Sequence, residues 1–193
     1  MNETELVLKF KNGDKSAFRE LVEKYQGSVI NTCFRFLRNK EEAEEVAQEV
    51  FLKVYLSARS YQPKAKFSTW LFKIVVNLCL NKLRDKKRSS LPKIEDSFYH
   101  NQIQMENDFP APAESQPDKS YEREELKKII KEAIDSLPEN QRAAIILNKY
   151  EGFSYQDMAK ILDCSVSAIE ARLFRAKENL RKKLNPYIKK NAI

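Results

Sequence analysis

Apolar residues recur at spacings of three and four along most of this chain, and no stretch sustains the strict alternation of a half-buried strand. The clearest case is VSAIEARLFRAKENLRKKL. There Val166, Ile169, Leu173, Ala176, Leu180 and Leu184 fall within one narrow arc at the helical period. With only 3 Gly and 7 Pro among 193 residues, few positions favour the tight turns of a strand-rich fold. An all-α fold is expected.

Breaks in this periodicity divide the chain. Asp14 or Ser16 can cap a long amphipathic helix, AFRELVEKYQGSVINTCFRFLR. Asn39 followed by Glu42 resembles a capping box and opens a second helix, NKEEAEEVAQEVFLKVYLSA. After a break around Tyr61, Gln62 and Pro63 comes a third, FSTWLFKIVVNLCLNKLRDKKR. Periodicity is then lost until about residue 119, across Pro92, Pro110, Pro112 and Pro117. It returns at YEREELKKIIKEAIDSL, and Pro138 suits the first turn of a further helix. The expected layout is two small helical domains, 1–90 and 120–193, joined by a flexible acidic linker, 91–119.

Charge follows the same division. The net charge is +7, but residues 59–90 carry nine Lys/Arg against one Asp, and residues 138–193 carry eleven against six acids. Between them, residues 91–125 carry nine acids against three bases. Two basic blocks on one chain suggest two modules that bind polyanions. The intervening acids read as a solvated spacer.

Other classes find little support. No apolar run reaches ~18 residues, so no membrane insertion is expected, and MNETELVLKFKNGDKS reads as the start of a helix rather than a signal peptide. Cys33, Cys79 and Cys164 are odd in number and far apart, which suits a reducing cytoplasm. No metal or cofactor is expected, because there is no CxxC and the single histidine, His100, lacks ligand-like neighbours. Glycine-rich phosphate loops and nucleophile–base pairs are missing too, so an enzyme is not expected.

The C-terminal block reads as a helix-turn-helix. ENQRAAIILNKYEG stops at Gly152, SYQD offers a capping-box start, and Ser165 can cap the next helix after a tight turn through Asp163 and Cys164. Opposite the apolar stripe of that last helix lie Ser167, Glu170, Ala171, Phe174, Arg175, Glu178 and Lys182. A solvated face accounts for the charges. A face laid in the DNA major groove accounts for Phe174 as well, through a thymine methyl or sugar, with Arg172 and Arg175 reaching phosphates or guanine edges.

SLPENQRAAIILNKYEGFSYQDMAKILDCSVSAIEARLFRAKENLRKKL resembles the promoter −35-reading domain of bacterial RNA polymerase sigma factors of the extracytoplasmic-function (ECF) class. GDKSAFRELVEKYQGSVINTCFRFLRNKEEAEEVAQEVFLKVY and FSTWLFKIVVNLCLNKLRDKKR resemble that class's −10-binding domain. The resemblance implies a protein that binds RNA polymerase core, recognises −10 and −35 promoter elements and assists melting. It also implies an anti-sigma partner, often membrane-anchored, and a linker held in the polymerase channel. The main alternative is a free-standing helix-turn-helix regulator.

Residue by residue, the stripe Ala43, Val46, Ala47, Val50 and Val54 reads as core. The opposite face mixes Glu41, Glu45, Gln48, Leu52, Tyr55 and Leu56, as a docking surface or a doubly packed helix would. The resemblance makes Glu45, Gln48, Glu49 and Leu52 polymerase-core contacts. In the third helix, Trp70 lies on an apolar stripe with Ile74 and Leu78, yet aromatic rings beside Lys64, Lys66 and Lys73 also suit single-stranded nucleic acid. Asn77 carries an amide able to bond a base edge and matches the family's pocket for a flipped −10 base. The −10 candidates are therefore Lys66, Trp70, Lys73, Asn77 and Arg84, and the −35 candidates Ser167, Glu170, Ala171, Arg172, Phe174 and Arg175. The chain departs from the family where many members have Pro-x-Gly-Thr. It has Ser165-Val166-Ser167-Ala168 there, and Glu170 at an often basic position. A carboxylate there can accept from cytosine N4, or pair in cis with Arg123 or a nearby Lys.

Overall fold

The computed structural model describes residues 3–58, 61, 66–89 and 117–190, with side chains of the last segment described from 125 to 187. The expected linker falls outside these residues up to 116, as do Lys64, His100 and the side chain of Arg123. The described elements are helical: α1 (Glu3–Lys11), α2 (Lys15–Leu37), α3 (Lys40–Ser57), α4 (Phe67–Ser89), α5 (Pro117–Asp135), α6 (Glu139–Ile145), α7 (Tyr155–Ile161) and α8 (Val166–Lys190). Pro117 opens α5, three residues ahead of the expected boundary at 120. A first-turn proline lacks only an N–H that would have had no intrahelical partner.

Local chemistry places the breaks. Gly13 at φ 96° turns the chain out of α1, and Asp14 caps α2 by accepting from the Ser16 and Ala17 amides. Arg38 adopts a left-handed conformation that ends α2, and the next residue, Asn39, caps α3 by accepting from the Glu42 amide at 3.0 Å. Two residues thus reverse one helix into the next. The helix of ENQRAAIILNKYEG is not uniform: a π-helical turn over Ile146–Tyr150 follows α6, with Glu151 N–H donating to Ile146 at 3.3 Å. Gly152 at φ 69° then stops it.

Helix α2 packs against α1, α3 and α4, and its Val29, Cys33 and Phe36 are sealed among them. Every residue of the α3 stripe expected inside, Ala43, Val46, Ala47, Val50 and Val54, is buried. Cys33 and Cys79 share a thiol hydrogen bond, which together with burial pushes the Cys79 thiol up, so Cys79 serves as a packing group. In the C-terminal half, α8 is backed by α5, α6 and α7, and its Ile169, Leu173 and Ala176 are buried. Ser154 and Ser165 cap α7 and α8, accepting from the Asp157 amide at 3.1 Å and the Ala168 amide at 3.2 Å. This is the expected helix-turn-helix.

The two helical bodies are those expected from the sequence, and they also touch: α4 packs against α7, and buried residues of both halves join one core. No helix among the described residues is long and apolar enough to cross a membrane.

The caps supply a first test. Asn39→Ala removes the Glu42 amide's partner and should cost about 1 kcal/mol of stability. The denaturation midpoint should fall with an unchanged slope.

Candidate nucleic-acid interface

Helix α8 presents one continuous outward face above its sealed stripe. Ser167, Glu170 and Arg175 are exposed, Ala171 and Arg172 are half-buried, and Phe174 is 68% exposed. A ring left this far in water on a rigid helix is a feature that solvation of charges does not explain. Asn179 fixes the helix to its support, donating to Gln141 on α6 at 2.8 Å. Glu170 has no hydrogen bond or ion pair among the described residues. Its pairing with Arg123 lies outside them.

The outer face of α3 is open to solvent and, among the described residues, is not packed on a second side. Leu52 is 58% and Leu56 72% exposed, beside exposed Tyr55, Glu41, Glu45, Gln48 and Glu49. Lys82 of α4 donates to Glu45 at 2.8 Å, and Lys53 lies 3.3 Å from Glu49, so these carboxylates are held upright without being covered.

Helix α4 carries the remaining candidates. Trp70 is half-buried, its ring 5.1 Å from Tyr61 and 5.7 Å from Phe67, so it belongs to an aromatic cluster. Asn77 is exposed. Lys66, Lys73 and Arg84 do not stand free: they lie 3.7 Å from Asp157, 3.8 Å from Asp163 and 3.9 Å from Glu139. Each of those acids belongs to the C-terminal half.

Sequence reasoning missed these acids, and above all Glu151. Its carboxylate, 9% exposed, accepts from Ser28 at 2.5 Å and Thr32 at 2.7 Å, with Arg35 at 3.8 Å. The Arg35 guanidinium also stacks 4.3 Å above Tyr150. A glutamate before a helix-stopping glycine reads as solvated, and nothing local signals a partner on α2. Asp157 reads only as a capping residue, yet it also accepts from Thr69 of α4 at 3.2 Å. Burial would raise the Asp157 carboxyl, but hydrogen bonds from Ser154 and Thr69 and the charge of Lys66 hold it below its ordinary value. Among the described residues no cluster of His, Cys, Asp and Glu could hold a metal.

Comparison with known proteins gives a consistent result. The chain matches the models of sigma-70 region 2 over residues 21–89 and sigma-70 region 4 over residues 127–180. It is 34% identical over 185 residues to the RNA polymerase sigma-H factor of Pseudomonas aeruginosa, covering 96% of this chain and 95% of that one. Identity and coverage are the same against the ECF RNA polymerase sigma-E factor of Escherichia coli. Among solved structures, CnrH in complex with the cytosolic domain of CnrY aligns with TM-score 0.66 at 23% identity, over 94% of this chain and 96% of that one. The sigma factor RpoE of Bartonella quintana, in complex with the anti-sigma factor NepR, aligns with TM-score 0.67 at 24% identity, over 87% and 96%. These two likenesses concern the fold.

The lowered Asp157 pKa fixes the sign of a pH effect. A carboxyl depressed in the folded state contributes stability that is fully present above its unfolded pKa and is lost as pH falls through the folded value. The contact between α4 and α7 should therefore be insensitive to pH between about 5 and 8 and loosen below about pH 4. Amide exchange of α4 and α7 across this range would show it, and Asp157→Asn should reduce the acid response.

Proposed function

The chain belongs to the extracytoplasmic-function class of RNA polymerase sigma factors, and from that premise we propose how its helical faces divide the work. It is not an enzyme: it directs RNA polymerase to promoters, and its region 2 binds the −10 element. The outer face of α3 docks on polymerase core through Glu45, Gln48, Glu49 and Leu52. Leucines among upright carboxylates suit a partner surface that is apolar at its centre and basic at its rim.

The −10 strand runs along α4. Lys66, Lys73 and Arg84 take its phosphates, the half-exposed Trp70 ring offers a base contact, and the Asn77 amide bonds an extruded base. Capturing unstacked bases offsets the cost of melting, a few kcal/mol per extruded base, so binding energy opens the DNA without nucleotide hydrolysis. Helix α8 enters the major groove at −35. Phe174 and Ala171 make apolar contacts, Arg172 and Arg175 reach guanine edges or phosphates, and Ser167 and Glu170 bond base edges. The single observation that carries this reading is the exposed Phe174 on a helix whose opposite side buries Ile169, Leu173 and Ala176.

The protein works in the cytoplasm, where polymerase and promoters are, and its free form is held by an anti-sigma protein. Supporting this, the structural relatives CnrH and RpoE were solved with CnrY and with the anti-sigma factor NepR.

Mixing the protein with bacterial core polymerase and fragmented genomic DNA of its source, then mapping transcript 5′ ends, tests the whole reading. Protein-dependent starts sharing two spaced upstream elements are expected. Sequence-specific binding without core binding or new starts would instead make it a free-standing regulator. Leu52→Asp should abolish core binding and leave −35 duplex binding intact. Arg175→Ala should cost about 1–3 kcal/mol on promoters whose base it reads, and weaken all promoters alike if it meets only phosphate. With Glu170→Gln, a promoter library should lose its preference for cytosine at one −35 position; an unchanged preference would remove Glu170 from readout.

A further inference from the structure

Ser165-Val166-Ser167-Ala168, the run in which this chain departs from its family, brings two hydroxyls together beside the DNA-reading face of α8. Ser165 Oγ lies 2.9 Å from Ser167 Oγ and accepts from the Ala168 amide at 3.2 Å. Ser167 is exposed on the same face as Glu170 and Phe174.

A serine hydroxyl has one proton to give and two lone pairs. The Ala168 amide takes one lone pair of Ser165, which polarises that oxygen and strengthens its O–H as a donor. Among the described residues, Ser167 Oγ is the only side-chain oxygen bonded to it. We infer that Ser165 donates to Ser167 and so fixes its polarity: the Ser167 hydroxyl meets the −35 duplex as a hydrogen-bond donor and selects an acceptor edge. The inference rests on the assignment of α8 to the major groove and adds to it which bases Ser167 admits.

In the major groove guanine N7 and O6, adenine N7 and thymine O4 accept, whereas cytosine presents the N4 donor. A Ser167 that only donates is therefore matched by guanine, adenine or thymine and mismatched by cytosine. Glu170, one turn further along the same face, accepts only, and cytosine suits it. Adjacent turns of α8 thus read in opposite senses. Docking excludes water from this face, so the mismatch leaves the Ser167 hydroxyl without a partner. A single neutral hydrogen bond of this kind discriminates about fivefold. Ser165 touches no base and acts as a positioning residue.

The test uses holoenzyme formed with each variant and a promoter mapped with the unaltered chain. Each −35 base pair is randomised in turn and transcripts are counted by sequencing, which reads base preference separately from overall activity. The unaltered chain should disfavour cytosine about fivefold at one position of one strand, and Ser167→Ala should remove that preference there alone. Ser165→Asp is the deciding variant. Aspartate also caps the helix, but its carboxylate only accepts, so the Ser167 proton turns toward it and lone pairs face the groove. The preference should then reverse toward cytosine or adenine, whose amino groups donate, while added repulsion of phosphate lowers all promoters alike. Ser165→Thr keeps a hydroxyl that both accepts and donates, and it should retain the unaltered preference.

An equal loss on every sequence with Ser167→Ala would mean that Ser167 meets only phosphate. That result, or an unaltered preference with Ser165→Asp, would overturn the inference while leaving the sigma-factor reading intact. Loss of the preference with Ser165→Thr would reduce Ser165 to a cap and overturn it as well. Absence of protein-dependent transcription starts would overturn that reading, and the inference with it. Thermal unfolding of each variant separates a lost cap from a changed readout.

Discussion

Helix α2 is surrounded by α1, α3 and α4, and burying Val29, Cys33 and Phe36 among them fixes how every neighbouring helix is turned. Once Ala43, Val46, Ala47, Val50 and Val54 face α2 and α4, helical geometry leaves Glu45, Gln48, Leu52 and Leu56 no choice but to face outward. The same constraint operates on α8, where sealing Ile169, Leu173 and Ala176 fixes Glu170, Phe174 and Arg175 on the open side. Small β-branched and alanine side chains on α3 permit close approach of the helices, so a narrow inner stripe suffices. The rest of the circumference is available for partners.

The basic surface of α4 creates a second constraint. Nine cations against one acid in residues 59–90 repel one another unless something negative lies across them. In this conformation it is the C-terminal half, through Glu139, Asp157 and Asp163. Glu42 and Glu45 of α3 answer Lys86 and Lys82 in the same way within the N-terminal half. The cations that make this surface basic are thus the ones that pair with acids of the C-terminal half at the rim of the contact.

Much of the fold was legible because it is local. Helix stripes, the Asn39, Ser154 and Ser165 caps, and the stop at Gly152 each depend on residues within a few positions of one another. The outward faces emerged by subtraction, which is why Leu52, Phe174 and Glu170 were found. The contact between the halves was not legible. Ser28 and Glu151 are 123 residues apart, and neither carries a local pattern that points to the other. The π-helical turn at Ile146–Tyr150 was equally hidden, because ENQRAAIILNKY has ordinary helical periodicity. Widening this turn rotates its last residue and the one after it, and Tyr150 and Glu151 are the residues that meet Arg35, Ser28 and Thr32.

Glu151 and the rim acids differ in what their release demands. An exposed pair such as Lys73 with Asp163 exchanges one partner for water or phosphate at small cost. Glu151 accepts two hydroxyl hydrogen bonds in a nearly buried site, and a half-opened contact would leave that carboxylate short of donors before water could reach it. Opening is therefore cooperative at the centre and graded at the rim. A ligand that merely competes for rim cations does not part the halves; a partner must also engage surfaces that parting exposes or separates.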